Sequence, residues 1–114
     1  MEMQIKEIDD KQIKITLKGR LDTAGTDRIE TRFIAAVVPR ARNTIVDLSQ
    51  TDFVASMGIR MFISAARALN QKNARLVLFA PQALVREVFE IASLGDIISI
   101  CDDEASALIE LSAP

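Results

Sequence analysis

Apolar and polar residues alternate in two segments near the start of the chain. Met3, Ile5 and Ile8 mark residues 3–8, and Ile13, Ile15 and Leu17 mark residues 12–18, with Asp9-Asp10-Lys11 between them. A period of two sends Ile13, Ile15 and Leu17 to one side of a strand and Lys14, Thr16 and Lys18 to the other. The two segments predict an N-terminal antiparallel hairpin with one buried face. Gly19-Arg20-Leu21-Asp22-Thr23 then breaks the alternation. From about Thr26 the spacing is helical, with Ile29, Phe33, Ala36 and Val37 on one face and Pro39 just past the expected end.

Ile45, Val46 and Leu48 form a short apolar run, as in a strand covered on both faces, and Ser49–Asp52 reads as a turn after it. Ile59, Phe62, Ile63, Ala66 and Leu69 return at helical spacing, opposite a polar face of Arg60, Ser64, Arg67 and Gln71. Residues 75–80 predict another buried strand. Pro81 suits the first position of a helix whose apolar face is Leu84, Val85, Val88, Phe89 and Ala92, and Gly95 suits its C-terminal cap. Ile97, Ile98 and Ile100 predict a last strand, and a helix from about Asp103 to Leu111 would turn Ala105, Leu108 and Ile109 inward.

The order β-β-α-β-α-β-α-β-α predicts an α/β fold. Its mixed sheet has about five strands, antiparallel in the N-terminal hairpin and otherwise mostly parallel, packed with about four helices. No linker, repeat or low-complexity segment divides the chain, so residues 1–114 are expected to form one domain.

Composition narrows the chemistry. A net charge of -2 and the absence of Trp and Tyr argue against a nucleic-acid partner, which needs a basic footprint and rings to stack on. The single Cys101 cannot form an internal disulfide and reads as a small core residue. No signal-like start and no run of about 18 apolar residues is present, so a cytoplasmic protein without membrane contact is expected. There is no His, hence no Ser–His or Cys–His pair and no His metal ligand. Asp102-Asp103-Glu104 clusters as a helix-start signal rather than as a spaced acid/base pair. Neither an enzyme nor a cofactor or metal site is expected.

Attention therefore falls on Phe53-Val54-Ala55-Ser56-Met57-Gly58-Ile59-Arg60, where a strand hands over to a helix. A Ser there can cap the first turn, and a phosphate on it would meet unpaired backbone N–H groups. A nucleophile elbow also puts a Ser at such a turn, but Val54 stands where its first Gly belongs and no His can take the proton. Met57 is either an outward apolar anchor or an internal packing residue. Asp22 and Thr23, on the approach to the first helix, read as its cap. Arg60, four residues after Ser56, contacts a partner or phosphate or is simply solvated.

Three segments resemble the STAS-domain anti-sigma factor antagonists. Gly19-Arg20-Leu21-Asp22 matches their G-x-[LI]-D at the end of the hairpin. Ile45-Val46-Asp47-Leu48-Ser49 through Gly58 matches a strand followed by D-S-x-G. Leu76-Val77-Leu78 through Val88 to Leu94-Gly95 matches the family's strand, helix and S-G-L ending. The resemblance implies a STAS-type fold and makes Ser56 the phosphoacceptor. It implies a histidine-kinase-like serine kinase that doubles as anti-sigma factor, and a metal-dependent, PP2C-type phosphatase that reverses the step. Asp22, Thr23, Ala55, Met57, Gly58 and Arg60 would form the partner surface, on a monomer or weak dimer. Unphosphorylated, the protein would bind the kinase and release what the kinase holds. Ala55 departs from the family's acidic residue before the Ser. That departure keeps open a STAS scaffold or transporter-associated module that docks on an ATPase without phosphorylation. A partner switch with a non-sigma output, such as biofilm or secretion control, is equally compatible with the sequence.

Overall fold

A computed structural model of the protein describes residues 1–112; the domain expected over 1–114 thus includes two residues, Ala113 and Pro114, outside the described ones. Strand β1 (Glu2–Glu7) and strand β2 (Gln12–Leu21) pair antiparallel, from Glu2 opposite Lys18 to Glu7 opposite Ile13. The remaining elements are α1 (Thr23–Val37), β3 (Asn43–Val54), α2 (Ser56–Gln71), β4 (Leu76–Phe79), α3 (Ala83–Ile91), a 3-10 turn (Leu94–Asp96), β5 (Ser99–Cys101) and α4 (Glu104–Ser112). The sheet runs β1-β2-β3-β4-β5, and every pair after the hairpin is parallel. This is the mixed α/β architecture the alternation predicts.

Side-chain alternation sorts the core onto the two faces. On one, Ile13, Ile15, Leu17, Val46, Leu48 and Leu78 pack with Ile29 and Phe33 of α1, Phe62 and Leu69 of α2, and Val85 and Phe89 of α3. Phe33 and Phe62 meet edge to face with centroids 6.0 Å apart. On the other, Ile45, Val77 and Phe79 pack with Ala107 and Leu111 of α4. Lys14 extends that face with charge, its Nζ 2.6 Å from the Glu104 carboxylate and over the Phe79 ring.

Several boundaries differ from expectation. The break at Gly19–Thr23 begins as a distortion inside β2, which continues to Leu21 before Asp22 caps α1. Register shifts fall between Thr16 and Lys18 and between Gly19 and Arg20, with Gly19 at φ 110, where glycine is favoured. Ser49–Asp52 is likewise no turn: β3 continues to Val54, and its pairing with β2 resumes at Gln50 and Thr51 and again at Phe53 and Val54 across the register shifts. Thr51 is fully buried there and donates its hydroxyl to the Leu17 carbonyl at 2.8 Å, which hides its polarity. Helix α3 starts at Ala83 with Gln82 as N-cap, so Pro81 precedes the helix rather than opening it. Its end is set by Ala92 and by Ser93 in the left-handed region (φ 54), not by Gly95, which lies in the 3-10 turn. On α4, Ala105 and Ile109 are exposed rather than inward, whereas Leu108 is half-buried against the core together with the buried Ala107 and Leu111. Cys101 is half-buried at the margin of the second core, against which it packs, and burial, then the Glu110, Asp102 and Asp103 carboxylates, pushes its thiol up.

Candidate functional site

Parallel pairing carries β2 and β3 to the same end of the sheet, where each gives way to a helix. Leu21 sits opposite Val54, and the Ala55 N–H donates to the Leu21 carbonyl at 2.9 Å. The Asp22 corner and the Ser56 corner are thereby locked side by side. At the first, Asp22 is the N-cap of α1: its Oδ1 accepts from the Gly25 N–H at 2.8 Å, closing the turn that starts the helix. That N–H bond holds the Asp22 carboxyl below the usual carboxylate range against an opposing effect of desolvation, with the Arg20 guanidinium adding to the lowering. Helix α1 accordingly begins at Thr23, three residues ahead of the expected start. Thr23 is exposed beside the cap.

The second corner corrects the reading of Ser56 as a cap. Ala55 occupies the N-cap position in extended backbone, Ser56 is the first helical residue, and no side chain caps α2 among the described residues. The Gly58 and Ile59 N–H groups both reach the Ala55 carbonyl, at 3.0 and 3.2 Å. The helix itself offers no acceptor to the N–H groups of Ser56 and Met57. No acid sits in the first turn. Ser56 is exposed at the positive end of a 16-residue helix that has no side-chain cap among the described residues.

The other expected site residues divide between surface and support. Ala55 and Met57 are half-buried, and Arg60 is exposed on the same helix. Gly58 is buried and is not a surface contact: a Cβ there would lie 2.7 Å from Leu21 Cδ2 and 3.2 Å from Val54 Cγ1. It lets α2 approach the ends of β2 and β3 closely. Three neighbours escaped sequence reasoning. Gly25 lies where a Cβ would come 2.2 Å from the Arg20 carbonyl oxygen. Arg20 stacks on Phe53 at 4.4 Å and its Nε is 3.6 Å from Asp22 Oδ2, tying the two corners together. The register pairing Arg20 with Phe53 follows from the distortion in β2, which alternation alone does not reveal.

No helix among the described residues is long and apolar enough to cross a membrane. No group of three or more His, Cys, Asp or Glu among them is placed to hold a metal ion. What the site offers is a hydroxyl at a helix start, a carboxylate cap beside it and an open surface around both.

Comparison with known proteins places the chain in a family. BtrV of Bordetella bronchiseptica, named as an anti-sigma factor antagonist, is 30% identical over 107 residues, covering 94% of this chain and 91% of BtrV. The anti-sigma-B factor antagonist of Listeria monocytogenes is 30% identical over 98 residues, 86% of each chain. The structure of the anti-sigma factor antagonist SpoIIAA in its unphosphorylated form superposes with a TM-score of 0.80 at 24% identity, over 96% of this chain and 95% of that one. The phosphorylated form of Bacillus SpoIIAA gives 0.71 at 22% identity, over 96% and 98%. The STAS domain model matches residues 2–107. With nearly its whole length matched by that model and by relatives of similar size, the chain belongs to the STAS domain family of anti-sigma factor antagonists.

Proposed function

We propose that this protein is a phosphorylation-controlled partner switch, acting by binding rather than catalysis, with Ser56 as phosphoacceptor. The observation that carries the reading is the start of α2. Ser56 is exposed as the first helical residue, no side chain among the described residues caps the helix, and the helix itself offers no acceptor to the Ser56 and Met57 N–H groups, a setting that favours a phosphate. A phosphate adds about -1.5 to -2 charges at pH 7. The helix dipole favours an anion at this end, so the fold tolerates it. A docked partner does not: its surface would have to bury against a dianion. Asp22, Thr23, Ala55, Met57 and Arg60 belong to that surface, with Gly58 setting its shape.

The partner is a serine kinase of the histidine-kinase-like ATPase fold that also serves as anti-sigma factor, and a PP2C-type phosphatase resets the switch. Unphosphorylated protein binds the kinase and frees the kinase's target. The chain works as one cytoplasmic domain, a monomer or weak dimer. Incubation with that kinase and ATP, followed by peptide mass spectrometry, should place phosphate on Ser56 alone. Ser56→Ala should bind the kinase constitutively and Ser56→Asp weakly. Phosphate on another residue, or on none, rejects the assignment. Ala55 favours a second reading, a docking module that is never phosphorylated, because a carboxylate next to the acceptor is missing. Kinase binding without phosphate transfer would decide for that reading.

A further inference from the structure

One face beside the Ser56 corner is apolar, open and not used by the phosphate argument. Between the end of β3 and α3 lies a groove of about 290 Å³, walled by Phe53 on one side and by Leu84, Val88 and Ile91 on the other. The three α3 residues fall at i, i+4 and i+7, one stripe of the helix. Leu84 is 70% and Ile91 80% exposed, so the stripe's ends contribute little to this protein's own core. A contiguous apolar surface of this kind marks an interaction site rather than scattered exposure. Its wall is set in advance: the Arg20 guanidinium lies 4.4 Å from the Phe53 ring centroid on the strand paired with β3, and Asp22 holds Arg20. The charged residues lining the groove are Asp52 and Glu87, both acids, and no Lys or Arg lines it. An occupant therefore needs an apolar anchor and a cation next to it.

We propose that this groove docks an amphipathic segment of the partner that acts on Ser56, a segment with an apolar anchor flanked by Lys or Arg. The identity of that partner rests on the partner-switch reading; the chemistry of the groove does not. Phe53 is three residues from Ser56, so one partner can occupy the groove and reach the hydroxyl. Anchoring and switching are then divided between two adjacent patches. The groove contributes the same affinity in both states, and the charge at Ser56 tips the sum between binding and release.

The test uses two 14-residue helical peptides as probes, one of Leu and Lys and one of Leu and Glu in the same pattern, titrated into the 15N-labelled full chain. The Leu/Lys peptide should shift the amides of Phe53, Leu84, Val88 and Ile91, and the Leu/Glu peptide should not. Ile91→Glu should weaken Leu/Lys binding at least tenfold. Ile109→Glu, an equally exposed apolar position on α4, should leave binding unchanged; circular dichroism checks that both variants fold. Against the kinase the same two variants should rank in the same way. Shifts spread over the acidic surface, equal response to both peptides, or Ile91→Glu binding like wild type overturns the proposal. So does a dimer of this chain that Ile91→Glu dissolves, since a second copy would then fill the groove. Ser56→Ala separates the two ideas: its groove shifts should persist although it takes no phosphate. Failure of Ser56 to accept phosphate from the kinase strikes the switch reading, whereas a kinase indifferent to Ile91→Glu strikes the groove alone.

Discussion

Gly58→Ala adds one methyl group where α2 comes closest to the sheet. The new Cβ would stand 2.7 Å from Leu21 Cδ2, 2.9 Å from Leu21 Cγ and 3.2 Å from Val54 Cγ1. Ordinary carbon contacts lie at about 3.5–4.0 Å, so the helix start or Leu21 has to move by roughly an ångström. Leu21 is fully buried and Val54 is 2% exposed, which leaves neither side chain free space to retreat into. Overpacking of this kind costs about 1–3 kcal/mol. Against it stands the helix preference of Ala over Gly, about 1 kcal/mol at an interior position and less at the third residue of a helix. The net expectation is a destabilisation of about 1–2 kcal/mol, or a fall in Tm of roughly 5–10 °C. Thermal and urea unfolding measure it directly. Gly95→Ala is the matched control, because nothing lies within 4 Å of the Cβ it would add. It should stay within about 0.5 kcal/mol of wild type. Leu21→Ala, which empties the space, should make Gly58→Ala harmless in the double variant, a coupling that only direct contact produces. A Gly58→Ala protein as stable as wild type, or additive with Leu21→Ala, refutes the close-approach argument.

Gly25→Ala should be costlier still, about 3 kcal/mol or more, because its Cβ would meet the Arg20 carbonyl at 2.2 Å and backbone rather than a side chain must yield; a loss smaller than that of Gly58→Ala in the same unfolding assay contradicts this ranking. The Asp22 carboxyl, held below its usual range first by the Gly25 N–H and then by Arg20, contributes stability that is complete above the ordinary carboxylate pKa and is lost as pH falls through its lower folded value. Asp22→Asn keeps a cap without the charge, so its Tm should decline less steeply than that of wild type between pH 5 and pH 2, both values spanning the ordinary pKa of about 3.9. Parallel acid profiles would reject that role for the charge. Thr26 is fully buried and its hydroxyl has no partner among the described residues, so Thr26→Val should leave stability equal or higher. A loss above about 1 kcal/mol would reveal a bond to that hydroxyl.

The repetitive parts of the fold were legible because burial on a regular element writes its period into the sequence. Ile13, Ile15 and Leu17 declare one face of β2, and Phe62, Ala66 and Leu69 declare one face of α2. Errors gather where a polar residue is buried or an apolar one is not. Thr51 hides its hydroxyl on a backbone carbonyl, so residues 49–52 look like a turn while being strand. Leu84 and Ile109 look like core and are 70% and 73% exposed. The Ser56 corner was found by chain position and family pattern, whereas the Arg20–Phe53 stack depends on a register shift that no periodicity records. Gly25 could have been suspected from Gly at the third residue of a helix, an odd choice unless a Cβ is excluded.

The first turn of α2 places opposite demands on residues two positions apart. Ser56 is exposed, and Gly58 is buried against Leu21 and Val54. Because α2 has no capping side chain, its start is fixed from below, through the Ala55 N–H on Leu21 and the contact at Gly58, rather than from the solvent side. A group added to Ser56 consequently meets no structural bond that it must break. The same reasoning separates stability from signalling along the sequence. Substitutions at Gly25, Leu21 and Gly58 should move unfolding and, only through it, partner binding. Those at Ser56, Arg60 and Ile91 should change partner binding while leaving Tm within about 2–4 °C, the shift expected for surface changes of about 0.5 kcal/mol. A variant from the second group that lost binding in proportion to its loss of Tm would show that the surface is held by the switch residues themselves. The division of labour between strand ends and helix start would then fail.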